Sequence, residues 1–240
     1  MIERPQKDSV RHITRCNLRV GDDRWAYAEA NADSIDAGWI DAKRTTPAYF
    51  NGVIHLIDSY EDHGDAISAR LLKTDFKSYL FWRLSGWPDA GVLDGFGSAL
   101  LHSADGDVIL GKQSPGHVNG GLTYLPGGFI DARDVRGDGT IDLDASVRRE
   151  LFEETGIGPE AVTADVGYYL TETGPHVSIA VHYRSHLSTR DLTERIKDHI
   201  RTDPDPELAD VVVVRRLNDL DGLPMADYAR VLLTSLLPST

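Results

Sequence analysis

The stretch Arg149-Glu150-Leu151-Phe152-Glu153-Glu154-Thr155-Gly156-Ile157, read with Gly127-Gly128-Phe129 upstream, decides the fold. Asp142 to Thr155 reads as a helix, with Asp142 placed to cap its start and Gly156 where a C-terminal glycine cap belongs. At roughly 100° per residue, Glu150, Glu153 and Glu154 share one face, and Leu143, Val147 and Leu151 fall on an overlapping arc. Glu154 is therefore predicted to point toward the apolar side, whereas a solvated acidic face would sit opposite the apolar stripe. Three carboxylates at i, i+3 and i+4 repel one another, and more so when partly buried. A cation is expected among them. Arg149 can serve one; a hard divalent ion with oxygen ligands suits the set. Taken alone, the segment also reads as a solvated Glu-rich helix.

The flanking chain reads as alternating short strands and helices. Ser98 to His102 and Val108 to Lys112 flank Asp105-Gly106, a hairpin-type turn. Tyr168 to Thr171 and Val177 to His186 read as strands about Gly174-Pro175, and Val211 to Val214 as a strand core. Arg190 to Ile200 and Ala226 to Leu237 read as helices. This interleaving predicts an α/β layered domain. Ahead of it, a strand over His12 to Val20, a helix capped at Asp22 or Asp23 and running toward Ile40, and a hairpin of Val53 to Ser59 with Ala66 to Leu72 suggest a smaller α+β module. The Gly/Pro/Asp-rich run from Ser85 to Gly97 marks the boundary, giving 1–95 and 96–240 as the two parts.

With Gly127-Gly128 before it, the R-E-L-x-E-E-x-G-I run resembles the box of the Nudix hydrolase family. Its second half matches at every specified position. The first half departs: Arg149 lies 21 residues after Gly128, seven more than in the short family box, and Ile141 stands where the family has a glutamate. The resemblance implies a Nudix-type α/β/α sandwich with a mixed sheet. It implies hydrolysis of a nucleoside diphosphate linked to another group, using Mg²⁺ or alternatively Mn²⁺. Glu150, Glu153 and Glu154 would hold the metal with the carbonyl of Gly127, and Arg149 would orient the carboxylates. Many family members take a general base from a later loop, and Glu207 occupies such a place; a solvated acidic loop is the other reading. Lys112, Gln113 and Tyr124 are the candidate substrate contacts, with His117 beside them. Many family members are dimers, so a homodimer is an assembly the resemblance allows.

The N-terminal part is similar to the leader of one subfamily. A helix with a tryptophan precedes Pro47-Ala48-Tyr49-Phe50-Asn51-Gly52, then a strand, then Lys73-Thr74-Asp75-Phe76-Lys77-Ser78-Tyr79. That subfamily hydrolyses UDP-glucose and UDP-galactose and also has a lengthened box loop. UDP-glucose leads on this resemblance; ADP-ribose or dinucleotides are the alternatives. A non-catalytic nucleotide sensor of the same fold is the competing class, kept open by Ile141.

Composition narrows the rest. The chain has 240 residues, 41% hydrophobic and 26% charged, enough to bury a core without covalent staples. The single cysteine, Cys16, excludes an internal disulfide and a cysteine zinc cluster, and fits a reducing cytoplasmic compartment. With 25 basic against 38 acidic residues and a net charge of -13, a broad grip on nucleic acid is not expected. The start, MIERPQKDSVRH, lacks the apolar run of a signal peptide, and no run has membrane-spanning length, so no membrane partner is expected. Gly137 to Asp142 resembles the middle of a calcium loop, but with Asp134 at its first position Arg136 and Ala145 fall where oxygen ligands are needed, so an acidic turn capping the helix is the preferred reading. The nine histidines show no H-E-x-x-H spacing, and His182 and His186 read as surface or core residues.

Overall fold

Strands and helices interleave as the hydrophobic pattern predicts, and the computed structural model describes residues 2 and 4–239. The expected first strand is two: β1 (Ser9–Ile13) and β2 (Arg15–Val20). Between them Thr14 bonds through its N–H to the Asp65 carbonyl, 2.7 Å. The two strands then enter different sheets. The helix expected from Asp22 or Asp23 begins later and is broken: α1 covers Ala26–Ala30 and α2 covers Ala32–Thr45. The break falls at Asn31, whose side-chain amide donates to the Tyr27 carbonyl, 2.8 Å, a local bond that competes with helix continuation. Trp25 takes the cap position because its indole is buried and donates to the Ala90 carbonyl at 3.0 Å.

The hairpin of β3 (Val53–Asp62) and β4 (Ala66–Asp75) forms as expected, and β2 joins β4 in parallel to complete a three-stranded sheet. The aromatic-rich segment is a helix, α3 (Phe76–Leu84), capped by Asp75 accepting from the Ser78 N–H.

The remaining strands build the large sheet. They are β5 (Asp94–His102), β6 (Val108–Gln113), β7 (Thr123–Tyr124), β8 (Gly127–Phe129), β9 (Val162–Thr173), β10 (His176–Ser185) and β11 (Leu208–Val214). The order is β1-β9-β10-β5-β6-β11, with β7 on β6 and β8 on β5. Only β10 and β5 run parallel, so the sheet is mixed. One face carries α4 (Leu143–Thr155) and α5 (Thr189–Thr202), packed through Val147, Leu151, Leu192 and Ile196. The other carries α6 (Asp227–Leu236), packed through Leu232 and Leu233 on Leu100 and Ala180. This is the mixed α/β layering the sequence predicts.

Backbone hydrogen bonds tie the smaller sheet to the box at both β3 and β2. The His55 N–H donates to the Ile130 carbonyl, 2.9 Å, just after β8. The lengthened box loop lies along β2: the Val20 N–H reaches the Gly139 carbonyl and the Ile141 N–H reaches the Leu18 carbonyl, each 2.9 Å. Ile141 is buried in the core, so the position of the absent glutamate is occupied by packing. The loop also caps α4 as expected, with Asp142 accepting from the Ala145 N–H at 3.1 Å. No helix among the described residues is long and apolar enough to cross a membrane.

Candidate active site

The chain folds the box so that α4 lies under β8. Gly97 on β5 and Gly128 on β8 face each other across one register pair. A Cβ at Gly97 would lie 2.5 Å from Val147, and one at Gly128 2.5 Å from Glu150 Oε2. Glycine at both positions is what allows the helix to approach and the Glu150 carboxylate to lie against the strand. Gly156 ends α4 in the left-handed conformation (φ 67°), as its place after Thr155 predicts.

The three glutamates have separate environments. Glu154 does point inward and is buried, as the helical arc predicts. Its carboxylate accepts from the Gly127 N–H at 2.8 Å and from the Tyr124 hydroxyl at 2.5 Å. Burial holds this carboxyl well above the ordinary range, against those two hydrogen bonds. Glu150 is largely buried, its side chain 12% exposed; burial pushes its carboxyl up to about 7, while Arg149 pulls it down and Glu153 adds to the rise. Glu153 is exposed. Arg149 donates to Glu150 at 3.1 Å and lies 3.9 Å from Glu153. That this arginine can serve one of the carboxylates was legible from the spacing.

The partners of that arginine were not. Arg149 Nη1 sits 2.6 Å from Asp134 Oδ1, and Arg133 lies 3.3 Å from Glu153 and 3.9 Å from Glu150. Asp134 belongs to a short capping box: Asp131 and Asp134 each accept from backbone within the turn after β8. The D-x-x-D spacing from Asp131 to Asp134 was the available signal, but Asp134 read instead as the first position of a calcium-like loop. Among the described residues, no group of three or more acidic, histidine or cysteine side chains is arranged to hold an ion. Two arginines occupy the space between the carboxylates. The donor set nevertheless fits a hard divalent ion: it is all oxygen, and Gly128 leaves room against Glu150 that any side chain would fill. Arg133 is more than half exposed and can swing aside.

A cavity of about 1240 Å³ opens over this end of the sheet. Gly127, Gly128 and Glu150 line it, and so do Gln113, Tyr124, His117 and Glu207. Glu207 is exposed by area yet sits in the concave wall. Desolvation there pushes its carboxyl up, His117 opposes the rise, and Glu153, Asp205 and Asp203 add to it. Gln113 is buried and accepts from the Asn119 N–H at 2.6 Å, so it also fixes the loop that carries His117. Lys112 is exposed on β6 and does not line the cavity: side chains alternate along a strand, and Gln113 takes the inward place. The smaller sheet and α3 close the opposite wall with Ile54, Phe76 and Tyr79, joined by Trp87, Asp94 and His176. Sequence reasoning named none of this second group as site residues.

The NUDIX domain family model matches residues 94–233. The chain belongs to this family. Among solved structures, a Nudix hydrolase from M. smegmatis is similar at 18% identity over 59% of this chain and 82% of that one, with a TM-score of 0.40. The MutT protein from Methanosarcina mazei Go1 is similar at 23% identity over 57% and 86%, with a TM-score of 0.36. A bifunctional NMN adenylyltransferase/ADP ribose pyrophosphatase from Francisella tularensis is similar at 16% identity over 66% of this chain and 44% of that one, with a TM-score of 0.42. No curated protein matches the chain. Nudix hydrolases generally use divalent metal ions, in keeping with the oxygen-rich face of α4.

Proposed function

We propose that this Nudix chain hydrolyses a nucleoside diphosphate linked to a second moiety, a nucleotide sugar in the first instance, releasing a nucleoside monophosphate and a sugar phosphate. Mg²⁺, or Mn²⁺ in its place, is the ion assigned to Glu150, Glu153, Glu154 and the Gly127 carbonyl. One observation carries the reading: the Glu150 carboxylate is seated against Gly128 on the floor of a cavity whose rim bears Glu207. A divalent ion bound there neutralises the diphosphate and acidifies a water.

The chain's own residues supply the rest. Glu154, through its bonds to Gly127 and Tyr124, holds β8 at a fixed height over α4. Arg149, anchored on buried Asp134, holds Glu150 in place and stands 3.9 Å from the exposed Glu153. Hydrolysis forms one P–O bond to the water oxygen and breaks one anhydride P–O bond. Glu207 takes the water proton; desolvation raises its affinity for protons, the direction that suits a general base. Gln113 and Tyr124 shape the floor. Residues 1–95 act as the second wall of the pocket, since β3 and α3 face the box across it.

The test is turnover with Mg²⁺ on UDP-glucose, UDP-galactose, ADP-ribose, ADP-glucose, GDP-mannose and NADH, with release of monophosphate as the readout. The reading expects hydrolysis of at least one, abolished in Glu153→Gln and Glu154→Gln. Unchanged turnover in both variants overturns the mechanism. Nucleotide binding without product release on any substrate would make the chain a sensor.

A further inference from the structure

The far wall of the cavity holds a carboxylate whose second oxygen has no partner among the described residues. Asp94 opens β5 and is 3% exposed. Its Oδ2 accepts from the Tyr79 hydroxyl at 3.0 Å and lies 3.1 Å from His176 Nδ1. A carboxylate only accepts, so Nδ1 carries the proton in that pair. Asp94 Oδ1 is buried without a partner. Leaving a buried acceptor unpaired is costly, and such a group is satisfied when a ligand or an ordered water brings a donor.

Aromatic rings surround this oxygen's residue. Trp87 stands edge-on to His176, 5.0 Å between centroids at 84°, and Phe96 lies 6.2 Å from the same ring. Trp87 is the one non-glycine residue with a left-handed backbone (φ 57°) among the described residues. A bulky residue held in that conformation is strained, and strain of this kind clusters at ligand sites. Trp82 and Tyr79 hold the ring there through edge contacts at 4.7 and 5.6 Å.

The position fits one end of a nucleotide. Asp94 precedes Gly97 by three residues, about 10 Å along the strand, and Gly97 pairs with Gly128 beside Glu150. That span is comparable with an extended nucleoside monophosphate whose phosphate lies at the box.

We propose that Asp94 reads the exocyclic amine of an amino-bearing nucleobase, adenine or cytosine, held against the Trp87, Phe96 and His176 rings. This rests on the hydrolase reading above and deepens it. Adenine and cytosine offer an amino donor; uracil and hypoxanthine set carbonyl acceptors there, which face a carboxylate unfavourably. The uridine substrates suggested by the leader are therefore disfavoured against their adenosine counterparts.

The experiment compares AMP with IMP, and CMP with UMP, by calorimetry on the whole protein with Mg²⁺, beside hydrolysis assays on ADP-ribose and UDP-glucose. The expected result is at least about tenfold tighter binding of the amino base in each pair. Asp94→Asn makes a sharper test. The amide oxygen stays on Tyr79 and His176, its NH₂ replaces Oδ1, and the acceptor becomes a donor. The preference should then invert toward IMP and UMP. Equal binding within both pairs by the wild-type protein, with hydrolysis intact, overturns this proposal alone and needs no variant to fold. Ribose 5-phosphate binding as tightly as AMP also overturns it, since Asp94 would then be reading sugar hydroxyls. Absence of both binding and hydrolysis overturns the hydrolase reading with it.

Discussion

Arg149 Nη1 lies 2.6 Å from Asp134 Oδ1, and the Asp134 side chain has no solvent exposure. The pair joins the turn after β8 to the middle of α4 and is the shortest of the ion pairs between them, beside the Arg133 contacts to Glu153 and Glu150. Asp134 also accepts from the Asp131 N–H at 2.9 Å. Removing one partner of a buried pair strands the other, which costs about 3–5 kcal/mol. Asp134→Ala is expected near the lower end of that range, because Arg149 keeps Glu150. Chemical denaturation measures it; a loss below about 1 kcal/mol would show that the pair is not what holds the turn.

Glu154→Gln separates chemistry from folding. The wild-type carboxyl is held well above its ordinary range by burial, so a neutral isostere suits the site and the fold should be retained. Turnover should nonetheless fall beyond the ~10- to 100-fold seen for groups that merely support a ligand. Retained melting temperature with lost kcat is the expected pair of results; retained kcat would remove Glu154 from the metal set.

Arg133 stands 3.3 Å from Glu153 and 3.9 Å from Glu150, with an exposed side chain. It competes with an incoming cation. Arg133→Ala should tighten Mg²⁺ binding by about 2- to 5-fold, the scale of an exposed ion pair. Titration calorimetry reads this directly. Weaker Mg²⁺ binding in the variant would mean that the arginine organises the site.

Away from the site, His102 Nδ1 lies 2.8 Å from His182 Nε2, and His182 Nδ1 lies 2.8 Å from Asp165. Burial, then His182 and Arg184, pushes His102 down to about 4, with Asp165 and Asp107 opposing. Its folded value is below the unfolded one near 6.5, so the unfolded chain binds more protons between those two pH values. Stability from this group is full above about 6.5 and is lost as pH falls toward 4. Melting temperatures at pH 4.5, 5.5 and 7 should fall with acid in the wild type and fall less in His102→Gln. Parallel curves would show that His102 contributes nothing.

The large elements were legible because they follow a single period. The arc of Leu143, Val147 and Leu151 predicted α4 and the inward aim of Glu154, and the Asp105-Gly106 turn predicted the β5–β6 hairpin (Gly106 φ 88°). What escaped was set by partners far along the chain. Trp25 became a cap residue because Ala90 accepts from its indole. Lys112 and Gln113 are adjacent in sequence, and only strand register decides which one enters the cavity. Asp94 and His176 stand 82 residues apart and meet because β5 and β10 run parallel in register. Nothing local in either residue signals that meeting.

The pairing of β1 with β9 has a kinetic consequence. Ser9 is matched with Glu172, so β1 is synthesised long before the strand it pairs with. At synthesis rates of about 5–20 residues per second, that wait is roughly 8–30 s. Through this interval β1 is an unpaired strand carrying the fully buried Ile13, a template for wrong pairing on crowded ribosomes. Contacts of such long sequence separation close slowly. The yield of folded protein should therefore depend on translation speed and on chaperones that shield β1 on the nascent chain.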